Sequence, residues 1–424
     1  MIVLAAAVAA ALSLREAVAE ALAKAPQAMA AKARGDAARA RLAEAHAMWL
    51  PKVDVTETAA RSDDPVFVFA GLLQQGRFGA DVDTLQSFRA GLNVRYTIFD
   101  QLRRGDANAT AANAVAEADA GYDEARQRLR LDAIARFYGI ALAVAKRDVA
   151  AGAVRAGEAQ AKTIRDKFEQ GLVVESDLLA TEVQLAEFRQ QEIEADGDVA
   201  VARAALATLL QRSPLDEIPI GGALPERTFP ALDVQQAIAR GLAARGAVAA
   251  ANASAKNAAL GLRTARGALL PRVDALANWS ATGATIGGRN PDHTLTVMAS
   301  LDLFDRGKIA RVAEARAGVE EARAAESAAR DAVTMEIVSA VHRANAAGKR
   351  VGVAAKAVAQ ADAAARIVRD RYEHGLTTIT EQLRAENALV RARLGLLAAR
   401  YDDVVGYAEL LRATGDLNDV EPFL

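Results

Sequence analysis

Phe168-Glu169-Gln170-Gly171-Leu172-Val173-Val174-Glu175-Ser176-Asp177-Leu178-Leu179, running on to Glu182, is written a second time as Tyr372-Glu373-His374-Gly375-Leu376-Thr377-Thr378-Ile379-Thr380-Glu381-Gln382-Leu383, running on to Glu386. The offset, 372 against 168, stays at 204 through Leu185 and Leu389. Each copy joins two long helical patterns through a glycine and a few β-branched or small residues. A glycine can take a positive φ and end a helix, so each copy reads as the tip of an antiparallel helical hairpin. One such tip is an ordinary turn. Two at matched positions predict a duplicated architecture.

A second pair of matched segments extends the duplication. Leu12-Ser13-Leu14-Arg15-Glu16-Ala17-Val18 corresponds to Leu232-Asp233-Val234-Gln235-Gln236-Ala237-Ile238, and Leu50-Pro51-Lys52-Val53-Asp54 to Leu270-Pro271-Arg272-Val273-Asp274, both 220 residues apart, 271 against 51. From Leu12 to Leu50 the pattern is helical: Ser13 and Glu16 have capping-box spacing, and Pro51 marks the stop. Beyond each proline the period changes from helical to two. Phe88, Ala90, Leu92, Val94, Tyr96 and Ile98 alternate with polar residues, as do Leu295, Val297, Ala299, Leu301 and Leu303. Shorter alternation marks 53–61 and 273–282, so each half contributes two strands.

The reading therefore divides the chain into a first repeat, 12–212, and a second, 232–417. Strands are predicted at about 53–61, 87–99, 273–282 and 294–304, and long hairpins at about 101–212 and 307–412. Residues 213–231, with Pro214, Pro219, Gly221, Gly222, Pro225 and Pro230, form a connector. Residues 418–424 are a tail. Within the hairpins, Ile134, Phe137, Ala141 and Val144 fall at the 3-4-3 spacing of a coiled-coil seam.

Composition narrows the function. The chain has 424 residues, 25% of them charged, with a formal net charge of −2, which gives no footprint for nucleic acid. It contains no cysteine, which excludes disulfides and thiolate chemistry, and four scattered histidines offer no zinc spacing. Aromatic residues make up only 4%, as suits long, closely packed helices. Ile2 to Leu12 is an apolar run ending in small residues, read as the remnant of an export signal over 1–11, although no Lys or Arg precedes it. No later run reaches the ~18 apolar residues of a membrane-spanning helix.

Strands of about ten alternating residues match the length that crosses an outer membrane when tilted. Four of them cannot lie in lipid as an open sheet, because the edge amides would go unsatisfied, so the sheet must close with other copies of the chain. Asp63 through Gly79 would then lie in a loop facing outside the cell. This segment accounts for the extra 15 residues by which the first half exceeds the second.

Helix, strand pair, long hairpin, connector, then the same again: from Leu12 to about Leu417 the chain resembles the TolC-type outer-membrane efflux protein family. The marks are Leu-Pro-(Lys/Arg)-Val-Asp, Phe99-Asp100 and Phe304-Asp305 before Arg-Gly, and the paired tips. The resemblance implies a mainly α fold with a transmembrane β part: a homotrimer whose twelve-stranded β-barrel in outer-membrane lipid continues into a periplasmic α-barrel. It implies a passive exit duct for efflux or type I secretion, served by a periplasmic adaptor and an inner-membrane pump, with no cofactor. It implies that Glu381, six residues after Gly375, rings the periplasmic constriction and attracts cations. Arg384 stands where a second acid would be expected. Asp177 and Tyr372 resemble parts of a closing latch between hairpins, with Thr377 where that latch would have an arginine. Gly171, Leu172, Val173, Ser176, Gly375, Leu376, Thr377 and Thr378 correspond to the adaptor-docking tips. The alternative reading is a soluble periplasmic coiled-coil scaffold or adaptor. No phosphate loop, nucleophile elbow or acid–base cluster supports an enzyme. Five methionines and no cysteine argue against a dedicated soft-metal exporter.

Overall fold

The computed structural model describes residues 11–77, 79, 83–216, 218–287 and 289–424. All but the end of the apolar run Ile2 to Leu12 lies outside the described residues, as does Phe78 of the first loop. The elements are α1 (Leu14–Lys24), α2 (Pro26–Ala47), β1 (Lys52–Ser62), α3 (Pro65–Gln74), β2 (Leu85–Phe99), α4 (Arg103–Glu169), α5 (Glu175–Leu209), α6 (Val234–Ala244), α7 (Gly246–Gly267), β3 (Arg272–Gly283), β4 (Asn290–Ser300), α8 (Arg306–Glu373) and α9 (Ile379–Thr414), followed by a 3-10 turn at Glu421–Phe423. Helices α4 and α8, at 67 and 68 residues, are each about 100 Å long at 1.5 Å per residue.

Contacts divide the chain into two compact units that cut across the repeats. The first holds 1–34, 119–250 and 328–424. Its larger core packs Leu14, Val18 and Ala21 of α1 against Leu129, Ile134, Phe137 and Ile140 of α4, Leu206 and Leu210 at the end of α5, and Val404 of α9. The predicted seam is here: Ile134, Phe137 and Ala141 are buried, and Val144 packs against them. The connector is part of this core through Ile218 and Leu224, and Phe229 stacks on Tyr407 with ring centroids 4.7 Å apart. A second core joins Ala237 and Val248 to Val333, Ile337 and Val341 of α8 and Leu410 of α9.

The single helix expected from Leu12 to Leu50 is two. Pro26 lacks an N–H and drives the residue before it out of the helical region, and Ala25 sits at φ −64°, ψ 129°. The second repeat breaks at the same place without a proline: Arg245 has φ −73°, ψ 126°. Four charged side chains hold that break. Buried Arg245 pairs with Glu124 of α4 at 3.0 Å and with Glu336 of α8 at 3.0 Å. Arg412 of α9 lies 3.7 Å from Glu124 and also pairs with Glu336.

The second unit, 35–118 and 251–327, contains the sheet. Its order is β1-β2-β3-β4, all antiparallel. Register aligns Val55 with Leu92, Leu92 with Trp279, and Trp279 with His293, so the alternating side chains of four strands share two faces. On one face lie Val53, Val55, Leu92, Val94, Tyr96, Ala277, Trp279, Leu295 and Val297. Val55 and Leu295 are 77% and 76% exposed, so no layer among the described residues covers this face. The opposite face is a polar ladder. Arg89 reaches Ser280 at 3.0 Å and Asp292 at 3.2 Å, Arg95 pairs with Asp54 at 2.8 Å, Asn93 donates to Asp54 at 2.9 Å, and Thr97 donates to Asp274 at 2.7 Å.

Strand β4 lies earlier than predicted. Its pairing with β3 ends at Arg272↔Ser300, because Pro271, next on the partner, has no N–H to give the ladder. Leu301 and Leu303 therefore fall outside the strand. The first loop also contains more than a loop. Asp64 caps the start of α3 by accepting from Val66 and Phe67, and Val68 and Leu72 bury against Leu85. No helix among the described residues is long and apolar enough to cross a membrane.

Candidate functional site

Both tips close in the same way. Gly171 and Gly375 have φ +70° and +73°. Leu172 N–H donates to the Lys167 carbonyl at 2.9 Å and Gly171 N–H to that of Phe168 at 2.9 Å. Leu376 and Gly375 repeat this onto Arg371 at 2.8 Å and Tyr372 at 3.0 Å. These are paired 6→1 and 5→2 bonds, a helix ending that needs the left-handed conformation glycine supplies. The return helices start differently. Thr378 caps α9 through its side chain, accepting from Glu381 N–H, whereas Val174 at the start of α5 has no side-chain bond to offer.

Each hairpin is stapled across its two arms at matching positions. Arg165–Glu182 at 2.5 Å recurs as Arg369–Glu386 at 3.3 Å, and Arg189–Glu158 at 2.8 Å recurs as Arg393–Asp362 at 3.4 Å. The two hairpins are joined near the tips by a small apolar cluster. Ile164 of α4 meets Ile379 and Leu383 of α9, with Val173, Leu178 and Tyr372 against them. Farther along, Gln184 and Asn387 exchange amide hydrogen bonds, one of 3.1 Å.

The predicted tip residues divide into two sets. Leu172 and Leu376 are both two-thirds exposed. Gly171, Ser176, Gly375 and Thr378 are exposed too, while Val173 and Thr377 are half-buried. Asp177 and Tyr372 come together across the hairpins. The Tyr372 ring lies beneath the Lys167 ammonium at 5.2 Å, and its hydroxyl is buried without a hydrogen-bond partner among the described residues. Burial, then the negative charge of Asp177, push the phenol's pKa up. Glu381 and Arg384 are exposed and bonded to each other, Nη1 to Oε1 at 2.8 Å. The position expected to present a bare acid is thus a local ion pair. Sequence reading missed Ile164, Ile379, Leu383 and the staples. The staples had a usable signal, since both charged pairs repeat at the 204-residue offset; the apolar cluster had none beyond helical spacing.

A sheet apolar on one face and polar on the other, strung on two pairs of very long hairpin helices, is the architecture of an outer-membrane channel protein. The chain belongs to the outer membrane efflux protein family, whose sequence profile matches residues 17–211 and 237–416. It is 27% identical over 205 residues to the outer membrane efflux protein BepC of Brucella suis, a match spanning 46% of this chain and 45% of that one. The chain is therefore aligned to under half the length of that relative. Its fold is similar to the outer membrane protein VceC of Vibrio cholerae, with a TM-score of 0.80 and 21% identity over 95% of this chain and 96% of that one. The Campylobacter jejuni CmeC outer membrane channel is similar as well, with a TM-score of 0.82 and 17% identity over 96% and 86%.

Proposed function

We propose that this chain is one protomer of a trimeric, passive exit duct that carries solutes from a periplasmic adaptor and an inner-membrane pump across the outer membrane. The observation that carries this reading is the sheet. Among the described residues its apolar face is uncovered, its other face is a hydrogen-bonded polar ladder, and β1 and β4 are unpaired edges. Lipid suits the first face and water the second, and closure with two further copies into twelve strands removes the edges. The long hairpins would extend the duct through the periplasm. Conduction through such a tube needs no catalytic group, so the protein acts as a channel and not as an enzyme. Efflux and type I secretion both use this design.

In this reading Glu381, Arg384, Asp177 and Tyr372 stand at the periplasmic constriction. Gly171, Leu172, Val173, Ser176, Gly375, Leu376, Thr377 and Thr378 offer the adaptor its docking surface, and the exposed Leu172 and Leu376 support that role. The first repeat would run from 12 to 212 and the second from 232 to 417 on either side of the connector.

The test is photo-crosslinking in cells from Thr377, with membrane fractionation of the same material. The duct reading expects a captured periplasmic adaptor and a protein that needs detergent for extraction. Release by carbonate or urea alone, with self-crosslinks only, would overturn it in favour of a soluble scaffold.

A further inference from the structure

The constriction-side charge of this chain is not the acidic one that Glu381 alone would give. Helix α9 is two-sided near the tip. Ile379, Gln382, Leu383, Glu386 and Val390 turn toward the rest of the chain, where they are buried or tied to α4, α5 and α8. Glu381, Arg384, Ala388, Arg391 and Gly395, at 3-4-3-4 spacing, form the opposite, exposed stripe. Two arginines and one acid occupy it. Arg384 already neutralises Glu381 at 2.8 Å within the same chain, and Arg391 has no ion-pair partner among the described residues. Asp177, the other acid expected at the constriction, is half-buried and faces Tyr372 across the hairpins. The stripe thus carries one net positive charge per chain.

We infer that the narrow end of the duct prefers anions, with Arg384 and Arg391 as its selectivity-determining residues. This rests on the reading that the exposed stripe of α9 lines the duct. Three copies around one axis would place three uncompensated guanidinium groups, two helical turns from three internally neutralised pairs, in a water-filled passage walled by protein. Fixed charge in such a passage raises the local concentration of oppositely charged solutes and repels its own sign. Cargo bearing carboxylate, sulfate or phosphate groups would pass more readily than polycations. A multivalent cation that plugs a ring of bare acids would find no such ring here.

The experiment uses purified full-length protein in planar lipid bilayers under a tenfold KCl gradient, for wild type, Arg384→Glu, Arg391→Glu and Glu381→Gln. All three side chains are exposed, so the variants fold, and trimer mass in detergent checks it. The inference expects wild type to reverse on the chloride side and to resist block by hexaamminecobalt(III). It expects Glu381→Gln to strengthen the anion preference. Either charge reversal should shift the permeability ratio severalfold toward potassium and introduce block. A conducting wild type that prefers potassium, or a ratio that neither reversal moves, would overturn this inference alone. A trimer that enters bilayers with no conductance in any variant would overturn the duct reading, and this inference with it.

Discussion

Replacing Arg245 with methionine isolates what the four-charge junction contributes. Arg245 is 5% exposed at its side chain and holds Glu124 and Glu336, each at 3.0 Å, while its Nη1 also donates to the Ala413 carbonyl at 3.3 Å. Methionine keeps most of the volume and removes the charge, leaving two carboxylates to share Arg412. Removing one partner of a fully buried pair costs about 3–5 kcal/mol. Glu124 and Glu336 are 21% and 34% exposed, so they recover part of their hydration, and Arg412 still reaches both. The expected loss is about 2–3 kcal/mol. Denaturant unfolding in detergent, followed by circular dichroism, measures it. A cycle with Glu124→Gln should give a coupling above about 1 kcal/mol. A variant within about 0.5 kcal/mol of wild type, with no coupling, would show that packing alone sets the break between α6 and α7.

Three further outcomes follow from other positions. Gln211 ends α5 at φ 56°, where the matching residue of the second repeat is Gly415 at φ 80°; Gln211→Gly should raise stability by about 1 kcal/mol, read by the same unfolding assay. Val174→Thr supplies α5 with the cap that Thr378 gives α9, and should slow amide exchange in the first turn of α5 while adding about 0.5–1 kcal/mol. The Arg212 guanidinium, hydrogen-bonded to Glu20 at 2.5 Å, holds that carboxyl at a pKa of about 2. A carboxyl depressed by folding stabilises the folded state above its unfolded pKa, near 4.5, and that contribution is lost as pH falls toward 2. Glu20→Gln should therefore be about 1–2 kcal/mol less stable than wild type at pH 7, after screening at the partly exposed Arg212, with the difference vanishing near pH 2.

Much of this architecture is legible in the sequence because it is written twice. The glycine tips recur 204 residues apart and the Leu-Pro-(Lys/Arg)-Val-Asp segments 220 apart, and alternating strands follow the proline in both halves. What escaped notice depends on partners far away in the chain. The end of β4 is set by Pro271 on its neighbour, not by the Leu301–Leu303 alternation that suggested a later end. Helix α3 lies within what reads as a loop, although Asp64-Pro65 is a helix start. Glu381 and Arg384 stand three residues apart, a spacing at which helical side chains meet, so their ion pair is legible in the sequence. The break at Arg245 has only Gly246, opposite Pro26 in the repeat, as its local trace, since its charged partners lie 121 and 91 residues away at Glu124 and Glu336.

That break gives the two halves different mechanical characters. The bend at Ala25-Pro26 is favoured by the covalent backbone itself, because the Pro26 ring turns Ala25 away from the helical region. The bend at Arg245 has no proline and is held by side chains instead, through two carboxylates from neighbouring helices. Should α8 slide against α4, the second repeat has a joint that can straighten, while the first has only a fixed elbow. A duplicated chain would thereby carry one stiff strut and one hinged one, if the Arg245 junction yields.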